Sequence, residues 1–262
     1  MSDQITHTAI LFFSRSSDQE ALAKSFLPSK FQSRNKDVAQ ELIDRSVQQL
    51  KATRLPFFVW NEQLQHGSTF GEKLAGAVDA IFQKGFQKVL VLGNDCLALT
   101  SQQIKRAALS LDCNDAVLAS TKKGGVYLIG LTKKTFDKKN FIDIRWQTSL
   151  TYQDLLTSMA GQHICKLPLK DDVNDYADLR QQINLLLKNN PVRILVENML
   201  TLSQSFDFRF HKLDYNFKEA KKRMIENQLS ISYANTLETG IWDNCEILPE
   251  EETRRQGMKL IL

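Results

Sequence analysis

Asp95 poses the chemical question of this sequence. It sits in the stretch 88–100, KVLVLGNDCLALT, where an apolar run over 89–92 stops at Gly93 and the acid follows two residues later. A carboxylate just beyond an apolar strand can hold a divalent cation against phosphate. Magnesium-like ions prefer oxygen ligands and are commonly bound by one or two carboxylates together with substrate phosphates. Such an ion offsets the charge that develops on a leaving diphosphate. The same aspartate can instead start the next turn, and spacing alone favours that plainer role.

Other candidates carry a similar pair of readings. Gly124 and Gly125 allow a substrate to approach the backbone, or form a tight turn between strands. Gly67 and Gly71, with Glu72 and Lys73, lead into a helix whose N-terminus suits an anion, yet Glu72 caps that helix equally well. The acids within 171–178 cap a helix or support an ion. Trp146 is a core side chain or a sugar platform. His7, His66, His163 and His211 show no ligand spacing, and Cys96 has no histidine and acid arranged to activate it. It is read as a buried packing thiol.

These residues need a scaffold, and hydrophobic periodicity supplies one. Continuous apolar runs at 8–14, 56–61, 89–93, 115–120 and 126–132 read as strands covered on both faces. A short strand at 163–167 follows the same alternation. Helical spacing marks 37–50, 74–82, 102–111, 150–159 and 176–188, with Thr100 or Ser101 as the cap of the third. Alternating strands and helices predict an α/β layer sandwich with a mostly parallel sheet, whose ligands gather beyond the strand carboxyl ends. Beyond residue 190 the alternation weakens. SFDFRFHKL reads as a two-faced strand with Phe206, Phe208 and Phe210 on one side, FKEAKKRMIENQ as an exposed amphipathic helix, and PEEETRRQGMKLIL as a charged tail. We therefore expect a domain over 1–190 and a C-terminal extension over 191–262, a candidate homodimer element.

Composition bounds the function class. Of 262 residues 42% are hydrophobic and 24% charged, and the net charge is +4, an ordinary globular balance that argues against a nucleic-acid track. No run approaches the roughly 18 apolar residues of a membrane span. The N-terminus lacks a basic leader region, and four scattered cysteines (Cys96, Cys113, Cys165, Cys245) form no metal or disulfide pattern. A cytoplasmic protein with reduced thiols is expected.

Six motifs in order, QHGSTFGEKL, LVLGNDCLALT, DAVLAS, GGVYLIGL, IRWQTS and DDVNDYADL, resemble a conserved bacterial family. Its members are classed with nucleotide-diphospho-sugar transferases and sometimes named as glycosyltransferases of arsenosugar biosynthesis. The resemblance spans roughly 8–185 and implies a GT-A (SpsA-like) three-layer α/β/α fold, a nucleotide-sugar or nucleotide ligand, and Mg2+ or Mn2+. Family positions fall on Asp95 and Asn174 as the metal pair, with Asp172 behind them to orient the ligands. Lys24 and Ser25 stand for the lysine and threonine of the first loop, and Lys24 and Lys123 become phosphate contacts. Gly67, Gly71, Gly124, Gly125 and Trp146 fall in expected substrate segments.

The chain departs from the family pattern at several places. Leu97 replaces a proline, Asn174 an acid, Lys123 the aspartate before the glycine pair, and Phe26 an arginine, while the first loop SRSSDQEALAKSFL has neither proline nor glycine. Two functional expectations follow. One is a metal-dependent glycosyltransferase, or a nucleotidyltransferase with the same apparatus. The other is a retained fold without catalysis that serves as a binding scaffold. No general base emerges from the motifs.

Overall fold

The computed structural model describes residues 7–205, 216–228 and 234–235. The chain divides into two compact units, Met1–Ser205 and Phe206–Leu262. In the first unit the elements run β1 (Thr8–Phe13), α1 (Ser17–Ala23), α2 (Asn35–Thr53), β2 (Phe57–Trp60), α3 (Phe70–Gln83), β3 (Lys88–Leu92), α4 (Ser101–Ser110), β4 (Ala116–Thr121), β5 (Val126–Thr132), α5 (Lys138–Ile142), α6 (Thr151–Ser158), β6 (Ile164–Lys170), α7 (Tyr176–Gln182) and α8 (Pro191–Ser205). In the second unit α9 (Phe217–Glu226) is described, with the side chain of Asn216 capping its first turn and none of its residues buried. The expected strand around Phe206, the charged tail and Cys245 lie outside the described residues.

A six-stranded sheet is ordered β2-β1-β3-β5-β4-β6. β1 pairs in parallel with β2 and β3, and β4 with β6. β5 runs against both β3 and β4. This is the mostly parallel α/β sandwich that the alternating apolar runs led us to expect. The reason for those runs is visible in β1. Ala9, Leu11 and Phe13 enter a core with α3 and α6, while Ile10 and Phe12 enter a second core with Leu50 of α2 and Ile104 of α4. A strand with helices over both faces has no polar side, so period-two alternation disappears. The strands β2 and β6, at the two ends of this order among the described residues, are only half-buried, with Val59 and Leu169 exposed.

Three expectations need correction. The first loop contains a helix, α1, capped by the side chain of Ser16. The helix expected over 176–188 stops at Gln182 and continues as a short 3₁₀ turn, Ile183–Leu185. There Leu186 turns extended and is buried beside Ile183 and Val192, so packing overrides the helical pattern. The last strand is longer than 163–167 and runs to Lys170.

A third core cluster organises the functional end of the sheet. It joins Phe26 and Leu27 of the first loop, Val38 and Leu42 of α2, Leu97 behind β3, Val173 and Leu179 around α7, and Val192 and Val196 of α8. Two of the family departures, Phe26 and Leu97, are therefore packing residues, 0% and 2% exposed. They tie together the three loops that carry Lys24, Asp95 and Asn174.

Candidate functional site

The strand order reverses at β1, whose neighbours β2 and β3 lie on opposite sides of it. Loops leaving the carboxyl ends of β1 and β3 consequently diverge and leave a crevice. A cleft of about 730 Å³ opens there, lined by the ends of both strands, by Thr121 of β4 and by the start of β5. The size falls within the range of small-molecule and cofactor sites.

Lys24, Asp95, Lys123, Gly125, Trp146, Asp172 and Asn174 all line the cleft. Gly67, Gly71 and Gly124 are absent from its lining, and each meets a backbone demand instead. Gly124 has φ +82°, and a Cβ there would lie 2.0 Å from the Ser149 carbonyl oxygen. It forms the β4–β5 turn and receives the α6 entry segment, whose Tyr152 N–H donates to its carbonyl at 3.1 Å. At Gly71 a Cβ would lie 2.4 Å from the Ile142 carbonyl oxygen. Glu72 accepts from the Ser68 and Thr69 amides at 2.6 and 3.1 Å, completing a capping box at the N-terminus of α3. Its carboxylate thus meets the donors that an anion would use. Trp146 is anchored by its indole N–H on the Phe141 carbonyl at 2.9 Å and packs edge-on against Phe141, so its ring serves the core as well as the cleft wall.

Asp95 and the 172–174 segment are stitched together by backbone. The Val173 N–H donates to the Asp95 carbonyl at 2.8 Å, and Ser25 forms a parallel bridge with Asp175. Asn174 donates from its side-chain amide to Asp172 at 2.8 Å, which orients the amide. Its backbone N–H donates to Asp178 at 3.0 Å, and the same Asp178 carboxylate receives Lys123 at 2.6 Å. Lys123 thus braces the Asn174 segment from the β4–β5 turn. Its hydrogen bond to Asp178 holds its pKa above the ordinary lysine value.

Lys24 is engaged within the protein. Its ammonium ion-pairs with Asp95 and, at 2.9 Å, with Glu20, and lies 3.5 Å from the Val173 carbonyl. Glu20 is 3% exposed and also receives Arg15 at 3.2 Å and the Asn94 amide at 3.5 Å. Burial opposes the Lys24 charge, but Asp95 and Glu20 outweigh it and raise its pKa. Enclosure raises the Asp95 carboxyl against the pull of Lys24, and the nearby charges of Glu20 and Asp172 add to the rise. The side chain nonetheless keeps 39% exposure toward the cleft. Cys96 behind it is a buried thiol pushed up to about 11 by desolvation, as expected of a packing residue.

Glu20 was missed because the first loop was not read as helical. Its signal was the Glu20–Lys24 spacing, four residues apart, which only matters on a helix. Glu62 was missed as well. It accepts from the Ser16 amide at 2.7 Å and hydroxyl at 2.6 Å, clamping the start of α1 to the loop after β2.

Among the described residues no group of three or more His, Cys, Asp or Glu side chains is arranged to hold a metal ion. Asp95 and Asn174 both line the cleft, and each carries a side-chain oxygen, the ligand type that Mg2+ or Mn2+ prefers when ligand phosphates complete the coordination.

Residues 36–148 match the family described as "Uncharacterized protein conserved in bacteria (DUF2064)". The expected bacterial-family resemblance is borne out. A crystal structure from Desulfovibrio desulfuricans G20, of a protein provisionally assigned as a nucleotide-diphospho-sugar transferase, is 23% identical to this chain with a TM-score of 0.61. The match covers 78% of this chain and 99% of that one, and the two share the fold that the motifs implied. The Rv0371c homologue from Mycobacterium sp. strain JC1 is 8% identical over 74% of this chain and 98% of its own, with a TM-score of 0.43. Rv0371c from Mycobacterium tuberculosis H37Rv, solved with manganese, is 13% identical over 66% of this chain and 96% of its own, with a TM-score of 0.39. No curated protein matches the chain. Among the described residues no helix is long and apolar enough to cross a membrane.

Proposed function

We propose that the protein is a metal-dependent transferase that binds a nucleoside diphosphate sugar in the cleft at the carboxyl edge of the sheet. The observation that carries this reading is the convergence of Asp95, Asn174, Asp172 and Lys24, from three separate loops, on one wall of that cleft. Glycosyl transfer rather than nucleotidyl transfer is supported by the assignment given to the D. desulfuricans protein, which is an argument from fold likeness.

Asp95 and Asn174 would hold Mg2+ or Mn2+, whose chemistry here is to neutralise charge on the departing diphosphate. Asp172 accepts from the Asn174 side-chain N–H at 2.8 Å, which engages the nitrogen of the amide and leaves its oxygen for a cation. Lys24 supplies a cation at the same wall, and Gly125 leaves room beside the β4–β5 turn for the ligand to lie close to the backbone.

Thermal-shift screening and calorimetry against a panel of nucleotides and sugar nucleotides, with and without Mn2+, test the reading. Stabilisation by a sugar nucleotide that requires metal and disappears in Asp95→Ala supports it. A panel with no response in either condition overturns it and favours a binding scaffold.

A further inference from the structure

Lys24 already occupies the carboxylate that the proposed site needs. Its ammonium bridges Asp95 and Glu20, its side chain is only 14% exposed, and the Glu20 side chain that anchors it is 3% exposed. A divalent ion approaching Asp95 therefore meets a fixed positive charge on the same side chain. A diphosphate approaching Asp95 alone meets the opposite problem. The carboxylates of Glu20, Asp95 and Asp172 gather there, Arg15 and Lys123 are already paired with acids, and Lys73 of α3 is the third lysine of the lining. Beside Asp95 each ligand by itself is opposed by like charge, whereas together they neutralise one another and give Lys24 a new anionic partner.

We propose that Lys24 is a resident cation that keeps divalent metal off Asp95 until a diphosphate-bearing ligand arrives, so that metal and diphosphate bind as a mutually dependent pair. Glu20 acts as the positioning residue, because its carboxylate keeps the ammonium at the wall when Lys24 releases Asp95. This rests on the metal-dependent reading above and adds to it an order of binding. Linkage makes the coupling reciprocal: metal must raise diphosphate affinity by the factor by which diphosphate raises metal affinity.

The test reads metal binding rather than turnover. Mn2+ is titrated into the full chain and followed by the electron paramagnetic resonance of the free ion, for wild type, Lys24→Met and Lys24→Gln. The glutamine variant keeps a hydrogen-bond donor beside Glu20 and serves if the methionine variant folds poorly; far-UV circular dichroism checks both. The expected result is that Mn2+ alone binds at least tenfold more tightly to the variants than to wild type. In parallel, a thermal-shift matrix uses Mn2+, an equimolar mixture of ADP, GDP, CDP and UDP, and both. For wild type the shift with both should exceed the sum of the separate shifts, and this excess should shrink in the variants. Equal Mn2+ affinity in all three proteins, with metal-dependent nucleotide binding intact, overturns the resident-cation role alone. Absence of any Mn2+ response, with or without nucleotides, overturns the metal-dependent function and this inference together.

Discussion

The ammonium of Lys24 rests on the carboxylate of Asp95 across 71 residues of chain, and the contact joins the loop after β1 to the loop after β3. Neither residue could hold this arrangement alone. Glu20 presents Lys24 from α1, while the backbone bond from Val173 fixes the Asp95 loop. Both loops are anchored by side chains of the third core cluster.

Glu20 should matter more to stability than its charge suggests. Its carboxylate is almost fully enclosed and partners two cations. Truncation by Glu20→Ala leaves Lys24 and Arg15 without it, and removing one partner of a buried ion pair typically costs about 3–5 kcal/mol. Glu20→Gln retains an acceptor and should lose distinctly less. Urea denaturation of the two variants checks the ordering, and equal losses would refute it.

Phe26 links packing to the site. Its removal by Phe26→Ala should cost about 3–5 kcal/mol and Ile81→Ala, in the core under α3, about 2–5 kcal/mol. Their effects on ligand response should differ. Phe26 flanks Lys24 and shares its cluster with Leu97 and Val173, whereas Ile81 packs in a separate cluster. Thermal-shift titration with the best panel ligand should show loss of response in Phe26→Ala and retention in Ile81→Ala at temperatures where both remain folded.

Two glycines of the same chain should respond in opposite directions. Gly76 lies inside α3, and a Cβ there would meet nothing within 4 Å. Gly76→Ala should therefore stabilise by about 0.5–1 kcal/mol, through reduced freedom of the unfolded chain. Gly124 has φ +82° and the Ser149 carbonyl at its Cβ position, so Gly124→Ala should destabilise by more than about 1 kcal/mol. Calorimetric melting of both variants decides the matter.

Lys123 should separate stability from binding. It is 54% exposed, and its ion pair with Asp178 is an ordinary surface interaction worth up to about 1 kcal/mol. Because Asp178 also receives the Asn174 backbone amide, Lys123→Ala should weaken metal-dependent ligand binding more than it weakens folding. Calorimetry of ligand binding beside urea denaturation provides both numbers, and a loss confined to stability would count against the bracing role.

Alkaline pH should destabilise the fold in a defined window. Burial lifts the Cys96 thiol from 9.0 to about 11, and burial, then the neighbouring Cys96, lifts the Tyr127 hydroxyl from 10.0 to about 12. In each case the unfolded chain ionises first, so stability is constant below about pH 9 and falls as pH rises toward 11 and 12. The raised Lys24 pKa acts in the same direction, its contribution being present below the unfolded value and lost as pH rises through the folded one. For Cys96 alone the loss reaches roughly 2–3 kcal/mol once pH has passed the folded value of about 11. Denaturation midpoints from pH 7 to 11 should drop less steeply in Cys96→Ala than in wild type.

The central strands and the helices beside them were legible because their side chains report burial directly. Continuous apolar runs marked β1 and β3, and the expected cap at Thr100 or Ser101 marked the start of α4, where Thr100 takes that role. The first loop was illegible for a physical reason. SDQEALA has little amphipathic pattern, and α1 persists because Ser16 caps it, Glu62 clamps its start, and Glu20 is drawn inward by two cations. None of those partners lies within the local window that periodicity reads.

Asp95, Asn174 and Lys24 were legible as residue types, and the apolar run before Asp95 determined that an acid would sit at a strand's carboxyl end. Periodicity likewise determined the layers, since covered strands cannot carry polar faces. What the tertiary structure alone decided is which charges meet. It placed an ammonium on Asp95, paired a second cleft-lining lysine, Lys123, with Asp178, and set two motif departures, Phe26 and Leu97, in the core beneath the site. Electrostatic interaction depends on distance through space, and residues far apart along the chain acquire a distance only when packing closes the loops between them.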